Sequence, residues 1–172
     1  ERKTRPARNK YLPAPTKGGK TGPGGKRAIV SLVERGGSVR SFHVDRANKK
    51  TVNKIVQENI ARESALHTDE SRLYNDALNH VASHDTVHHS SGEYVRGAIH
   101  TNTVEGYFSI FKRGMKGVYQ HCAEKHLHRY LAEFDFRYNN RIALEIDDSM
   151  RAAKALKGIE GKRLTYRRIG RQ

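Results

Sequence analysis

Ala28-Ile29-Val30-Ser31-Leu32-Val33-Glu34-Arg35-Gly36-Gly37-Ser38-Val39-Arg40-Ser41-Phe42-His43-Val44 decides the fold class. Two strand-like runs flank a Gly36-Gly37 turn, which predicts a β-hairpin. Val52, Ile55, Val56 and Ile60 then recur at helical spacing, predicting a helix over about 48–62. Ala65-Leu66-His67-Thr68 predicts a short strand that stops at Asp69. Leu73, Tyr74, Ala77 and Leu78 mark a short helix behind it, and Thr86-Val87-His88 another short strand. Two longer helices are predicted over about 102–116 and 124–140. A hairpin followed by alternating helices and strands is α/β, with a mixed sheet and flanking helices.

The charge of the chain is unevenly spread. The formal net charge is +15 over 172 residues, with 35% apolar and 30% charged residues. Residues 1–26 carry eight Lys/Arg and one acid, and so do residues 151–172, whereas 27–150 hold 17 basic and 16 acidic residues. Basic ends around a nearly neutral middle predict a polyanionic partner, DNA or RNA; solubilising tails are the plainer account. Residues 1–26 also contain all four prolines and the run Gly18-Gly19-Lys20-Thr21-Gly22-Pro23-Gly24-Gly25, a mobile arm or loop by composition. The domain division is therefore an arm at 1–26, a folded core at 27–141 and a basic tail at 142–172. Cys122 is the single cysteine, which excludes a disulfide framework and predicts a reducing, cytoplasmic setting. No apolar run is long enough to span a bilayer, and no signal peptide is evident, so no membrane partner is expected.

The residues that could carry chemistry lie on two elements. Asn102, Glu105, Ser109, Lys112 and Lys116 form one polar stripe of the predicted 102–116 helix. Val104, Phe108, Phe111 and Met115 form an apolar stripe beside it. Glu105 is placed to hold a metal, and Lys112 and Lys116 to hold a DNA phosphate one and two turns on. The plainer reading is a capping box, with Asn102 at the N-cap and Glu105 three residues later, and cations that suit the helix C-terminus. Asp69 ends a predicted strand, where ligand groups gather in α/β sheets; as an N-cap for the following helix it needs no function. Two acids from different elements can share hard divalent cations, although two carboxylates are few for two ions.

Several stretches resemble one insertion-sequence transposase group of the Asp-Asp-Glu (DDE) superfamily. They are Thr68-Asp69-Glu70, Ser91-Gly92-Glu93-Tyr94-Val95-Arg96, His100-Thr101-Asn102-Thr103-Val104-Glu105-Gly106-Tyr107-Phe108-Ser109-Ile110-Phe111-Lys112-Arg113-Gly114, and His126-Leu127-His128-Arg129-Tyr130-Leu131-Ala132-Glu133-Phe134-Asp135-Phe136-Arg137-Tyr138-Asn139. The resemblance covers about residues 27–141. It implies a ribonuclease H-like fold and metal-dependent DNA cleavage and strand transfer, with Mg²⁺ or Mn²⁺ in a two-metal site. DNA, as element ends and target, and a homo-oligomer assembled on it are the implied partners. Asp69 matches the second acid, Glu105 the third, and Lys112 the cation seven residues after it. Some members use Asn in place of the third acid, which adds Asn102 to the candidates. Asn102, Lys112, Arg113 and Lys116 are the candidate DNA-binding residues.

The chain departs from the group in one respect. The group's first acid lies on an opening strand in an Asp-Glu-Thr-like run, and no such run is found here. Asp45, at the end of the second predicted strand, does not match. The first strand and its Asp are expected upstream of Glu1, which predicts weak metal binding and little or no cutting by this chain alone. The alternative is a catalytically incomplete remnant that only binds DNA; a nuclease with no joining step is a third reading.

Other signals are weaker. Gly18-Gly19-Lys20-Thr21 is not a phosphate loop, since G-x-x-x-x-G-K-S/T needs glycine where Ala14 stands. His80, His84, His88, His89 and His100 suggest zinc only weakly, because Asp85 and a predicted strand interrupt any helix carrying them. His67 and His100 sit beside the candidate acids and are placed to orient them or a phosphate.

Overall fold

The computed structural model describes residues 27–76, 79–120 and 122–162. The arm at 1–26, the end of the basic tail from 163 onward, and Ala77 and Leu78 lie outside the described residues.

β1 (Ala28–Val33) and β2 (Val39–Val44) form the predicted antiparallel hairpin, with Ala28 opposite Val44 and Val33 opposite Val39. Gly36 turns the chain at φ +70°, a backbone region that favours glycine, and Glu34 N–H donates to the Ser38 carbonyl at 2.8 Å. The outer edge of β2 is covered by side chains. Asn139 accepts from Val39 N–H at 2.6 Å and donates to the Val39 carbonyl at 2.9 Å, while Asp135 accepts from Ser41 N–H at 2.8 Å. Covering an edge in this way satisfies its backbone groups and blocks further pairing.

α1 (Lys49–Asn59) starts at Asn48, whose side chain accepts from Thr51 N–H at 2.9 Å. Its predicted apolar face is buried through Val52, Ile55 and Val56. β3 (Ala65–Asp69) pairs in parallel with β4 (Ser83–Val87), so the second short strand begins before the predicted Thr86. Arg72–Tyr74 is a 3-10 turn at the start of the predicted short helix, whose Ala77 and Leu78 lie outside the described residues. β5 (Val95–Arg96) and β6 (Ile99–His100) make a small hairpin that the sequence does not announce.

α2 (Asn102–Gly114) continues into a π-helical turn, Met115–Tyr119, so Lys116 leaves the α-helical phase of the polar stripe. α3 (Leu127–Asn139) follows a 3-10 turn at Glu124–His126 and buries Leu127, Leu131 and Phe134. α4 (Asp148–Lys157) is a helix within the stretch assigned to the tail, capped by Asp147 and without a buried residue.

The architecture is mixed α/β, consistent with a ribonuclease H-like fold, with its strands paired as three two-stranded sheets. Two apolar clusters lie about the hairpin. Tyr107, Phe111, Leu127, Leu131 and Phe134 pack on Val39, with Ile29 and Val33 beside them; Val52, Val56 and Val81 pack with Val30. Side chains alternate between the faces of a strand, so β1 separates the α2–α3 cluster from the α1 cluster.

Gly114, at the end of α2, faces the Phe134 ring of α3. A Cβ there would lie 2.4 Å from Phe134 Cζ, and that ring is already held edge-on by Phe111 and Tyr119. Gly114→Ala should therefore destabilise the chain by about 1–3 kcal/mol through overpacking, read as a lower thermal midpoint. An unchanged midpoint would mean that the two helices can separate freely.

Candidate active site

Asp69 and Glu105 line the same cavity, of about 990 Å³. Its walls include β1, β3, the Val52–Val56 face of α1 and the Val104–Phe108 face of α2. The strand end and the helix start thus place on one cavity two acids that stand 36 positions apart in sequence.

Asp69 accepts from Ser71 N–H through Oδ1 at 3.1 Å, a local turn that holds the carboxylate at the end of β3. The cap of the following 3-10 turn is Ser71, so the N-cap reading of Asp69 does not hold. Tyr74 lies close by; burial, and then the charge of Asp69, push its hydroxyl pKa up.

Glu105 is not part of a capping box with Asn102. The N-cap of α2 is Thr101, and Asn102 is the first helical residue, exposed to solvent. Thr101 Oγ1 donates to Glu105 Oε1 at 2.6 Å, and His89 Nε2 stands 3.8 Å from the same oxygen. The Glu105 side chain nevertheless remains 54% exposed, which leaves it able to take a ligand.

Lys112, Arg113 and Lys116 are exposed, and among the described residues none of them is in an ion pair. On α3, by contrast, Arg137 is held by Glu133 at 2.7 Å. The cations of α2 are thus available to a polyanion.

Three further residues bear on the cavity. Arg35, just past β1, donates to the Ala98 carbonyl at 2.6 Å and contacts His67 Nδ1 at 2.9 Å. Burial and then this guanidinium hold the His67 pKa below the ordinary imidazole value. His100 lines the cavity with a buried Nδ1 that has no hydrogen-bond partner. His89, one of the spaced histidines, is the ring that approaches Glu105; the sequence pointed to His67 and His100 instead. His80 and His84 serve local bonds, to the Ile60 carbonyl at 2.7 Å and to Thr68 at 2.8 Å.

Carboxylates lining a cavity suit a hard divalent ion, which prefers oxygen donors. A pair of ions calls for a further acid, and among the described residues no group of three His, Cys, Asp or Glu is placed to hold a metal. Asp45 faces a separate depression with His43, Arg46 and Thr51. Glu34 reaches the cavity wall, but its carboxylate accepts from Ser38 N–H at 3.2 Å and closes the hairpin turn. Carboxylate oxygens are the right donors for one such ion, and a further acid for a second is missing beside them among the described residues.

No helix among the described residues is long and apolar enough to cross a membrane. No curated protein and no solved structure matches the chain. The ISXO2-like transposase domain, however, matches residues 7–139, well over half of the chain. With the acid pair and the exposed cations placed as described, the chain belongs to the ISXO2-like transposase domain family, and its function is related to transposition.

Proposed function

We propose that the chain is the larger part of a catalytic domain that cuts DNA at the ends of an insertion sequence and joins the freed 3′-hydroxyl to target DNA, acting in the cytoplasm as an oligomer assembled on DNA. The observation that carries this reading is that Asp69 and Glu105 line one cavity. These two carboxylates would hold Mg²⁺ or Mn²⁺. Such an ion supplies the charge that activates an attacking hydroxyl and stabilises a leaving oxygen in phosphodiester displacement. Lys112, Arg113 and Lys116 bind backbone phosphates, and Asn102, exposed in the first turn of α2, extends that face toward Glu105. The basic ends add affinity that does not depend on sequence.

The family pattern carries its first acid on an opening strand, and the cavity has the character of a slot for one. Consecutive residues of β1 (29–33) and of β3 (65–69) line it. A cavity against a sheet face would meet alternate residues; meeting consecutive ones means meeting strand edges. β1 gives its other edge to β2, and β3 gives its other edge to β4. An inserted strand would bond to both free edges, turn alternate side chains to the α1 and α2 clusters, and bring a third carboxylate toward Asp69 and Glu105.

A second reading, a module that grips DNA without cutting it, is favoured by the lack of a third acid among the described residues beside the pair. The two readings separate in a protein that carries a strand ending in Asp ahead of this chain. There, Glu105→Gln should abolish Mn²⁺-dependent cleavage of element ends and leave DNA binding intact. Cleavage that survives the change would remove Glu105 from the mechanism, and no cleavage before the change would favour the binding module. In the present chain, Lys112→Ala with Lys116→Ala should weaken DNA binding and lower the slope of log affinity against log salt by about 1 per lost phosphate contact. An unchanged slope in fluorescence anisotropy would place the DNA elsewhere.

A further inference from the structure

A hydrogen-bonded path along the cavity wall runs from Glu70, the residue after Asp69, to Glu105. Glu70 directly follows Asp69 at the end of β3. Its carboxylate accepts from two backbone groups of the turn after β4, His89 N–H at 2.6 Å and Ser90 N–H at 3.0 Å. The His89 ring packs on Tyr94, with centroids 5.1 Å apart, and its Nε2 meets Thr101 Oγ1 at 3.2 Å. Thr101 Oγ1 in turn donates to Glu105 Oε1.

The direction of these bonds is fixed by chemistry. An ionised carboxylate only accepts, so Thr101 gives its one hydroxyl hydrogen to Glu105. The threonine oxygen can then only accept from the ring, which requires the His89 tautomer with hydrogen on Nε2. We propose that Glu70, His89 and Thr101 are positioning residues that hold Glu105 at a set place relative to the strand end carrying Asp69. An exposed glutamate on a helix surface samples several rotamers, and restraining Oε1 lowers the entropy lost when Oε2 takes a ligand. Thr101 is buried, so the hydroxyl cannot swing out to water. The role of these residues rests on Asp69 and Glu105 being a cation-holding pair.

The test uses the chain as it stands, with Mn²⁺ alone as the probe, followed by electron paramagnetic resonance. Thr101→Val and His89→Leu should each weaken Mn²⁺ binding roughly 10-fold, in the range seen when partners of metal ligands are removed. DNA affinity should be unchanged. His89→Gln, which keeps an N–H donor, should recover most of the loss; a purely structural role would not give that rescue. Independently of metal, ¹⁵N spectra of the His89 ring at about pH 8, where imidazole is neutral, should report hydrogen on Nε2. Hydrogen on Nδ1 would overturn the proposal. So would Mn²⁺ binding that is unaffected by Thr101→Val and His89→Leu but lost on Asp69→Asn. If Asp69→Asn also leaves Mn²⁺ binding unaltered, the reading of the acids themselves falls, and the role of the path falls with it.

Discussion

The carboxylate of Asp135 holds the molecule in register. It accepts from Ser41 N–H on β2, from the Ser41 hydroxyl at 2.8 Å and from Tyr107 OH at 2.6 Å, so one side chain of α3 ties together the hairpin and α2. Burial, and then this bond, raise the Tyr107 hydroxyl pKa, which keeps the phenol a donor at any ordinary pH. With Tyr107 and Phe111 turned inward, the rotation of α2 is set. Val104, Glu105 and Phe108 then meet the cavity, while Lys112 keeps its exposed position. A helix free to roll by half a residue would lose that division, because positions on one turn differ by about 100°.

The same contacts explain why one strand edge is closed and others are open. Asp135 and Asn139 occupy the outer backbone groups of β2, whereas the edges of β1 and β3 toward the cavity carry no paired strand among the described residues. Arg35 reaches from the end of β1 to His67 on β3 and to Ala98 beside β6, a polar tie between sheets that share no ladder. The site stands at this division, with Asp69 on one side and Glu105 on the helix that packs beside it. The order of the cavity therefore depends on α2, whose packing is extensive, more than on backbone pairing across it.

Much of this was legible in the sequence. The hairpin follows from two β-rich runs about Gly36-Gly37, and α1 from the spacing of Val52, Ile55 and Val56, because burial on one face leaves a periodic record. Asp69 at the end of β3 and Glu105 in the first turns of α2 were placed by the same logic. β5 and β6 were not read: two residues per strand carry no period. α4 was taken for tail because of its basic residues, although Met150, Ala153 and Leu156 recur at helical spacing and Asp147 suits its cap; the stripe stays unburied. The capping reading of Asn102 failed because Thr101, one residue earlier, also suits an N-cap. His89 was passed over for a different reason. Its meeting with Thr101 and Glu105 depends on how the turn after β4 folds back to α2, which local sequence does not encode.

The overlap between stability and chemistry on α2 shows how such a site can stay nearly hidden. An acid in the first turns and cations in the last suit the helix dipole, each by about 0.3–1 kcal/mol. Glu105, Lys112 and Arg113 therefore stabilise the helix whether or not DNA is ever bound. Composition and spacing cannot separate the two roles, since both favour the same residues in the same places. Tertiary arrangement can. Helix stability alone does not require Glu105 to share a cavity with Asp69 or to be tied, through Thr101 and His89, to the residue after it. Those connections join β3, the turn after β4 and α2, and they are what the local electrostatics of one helix leaves unexplained.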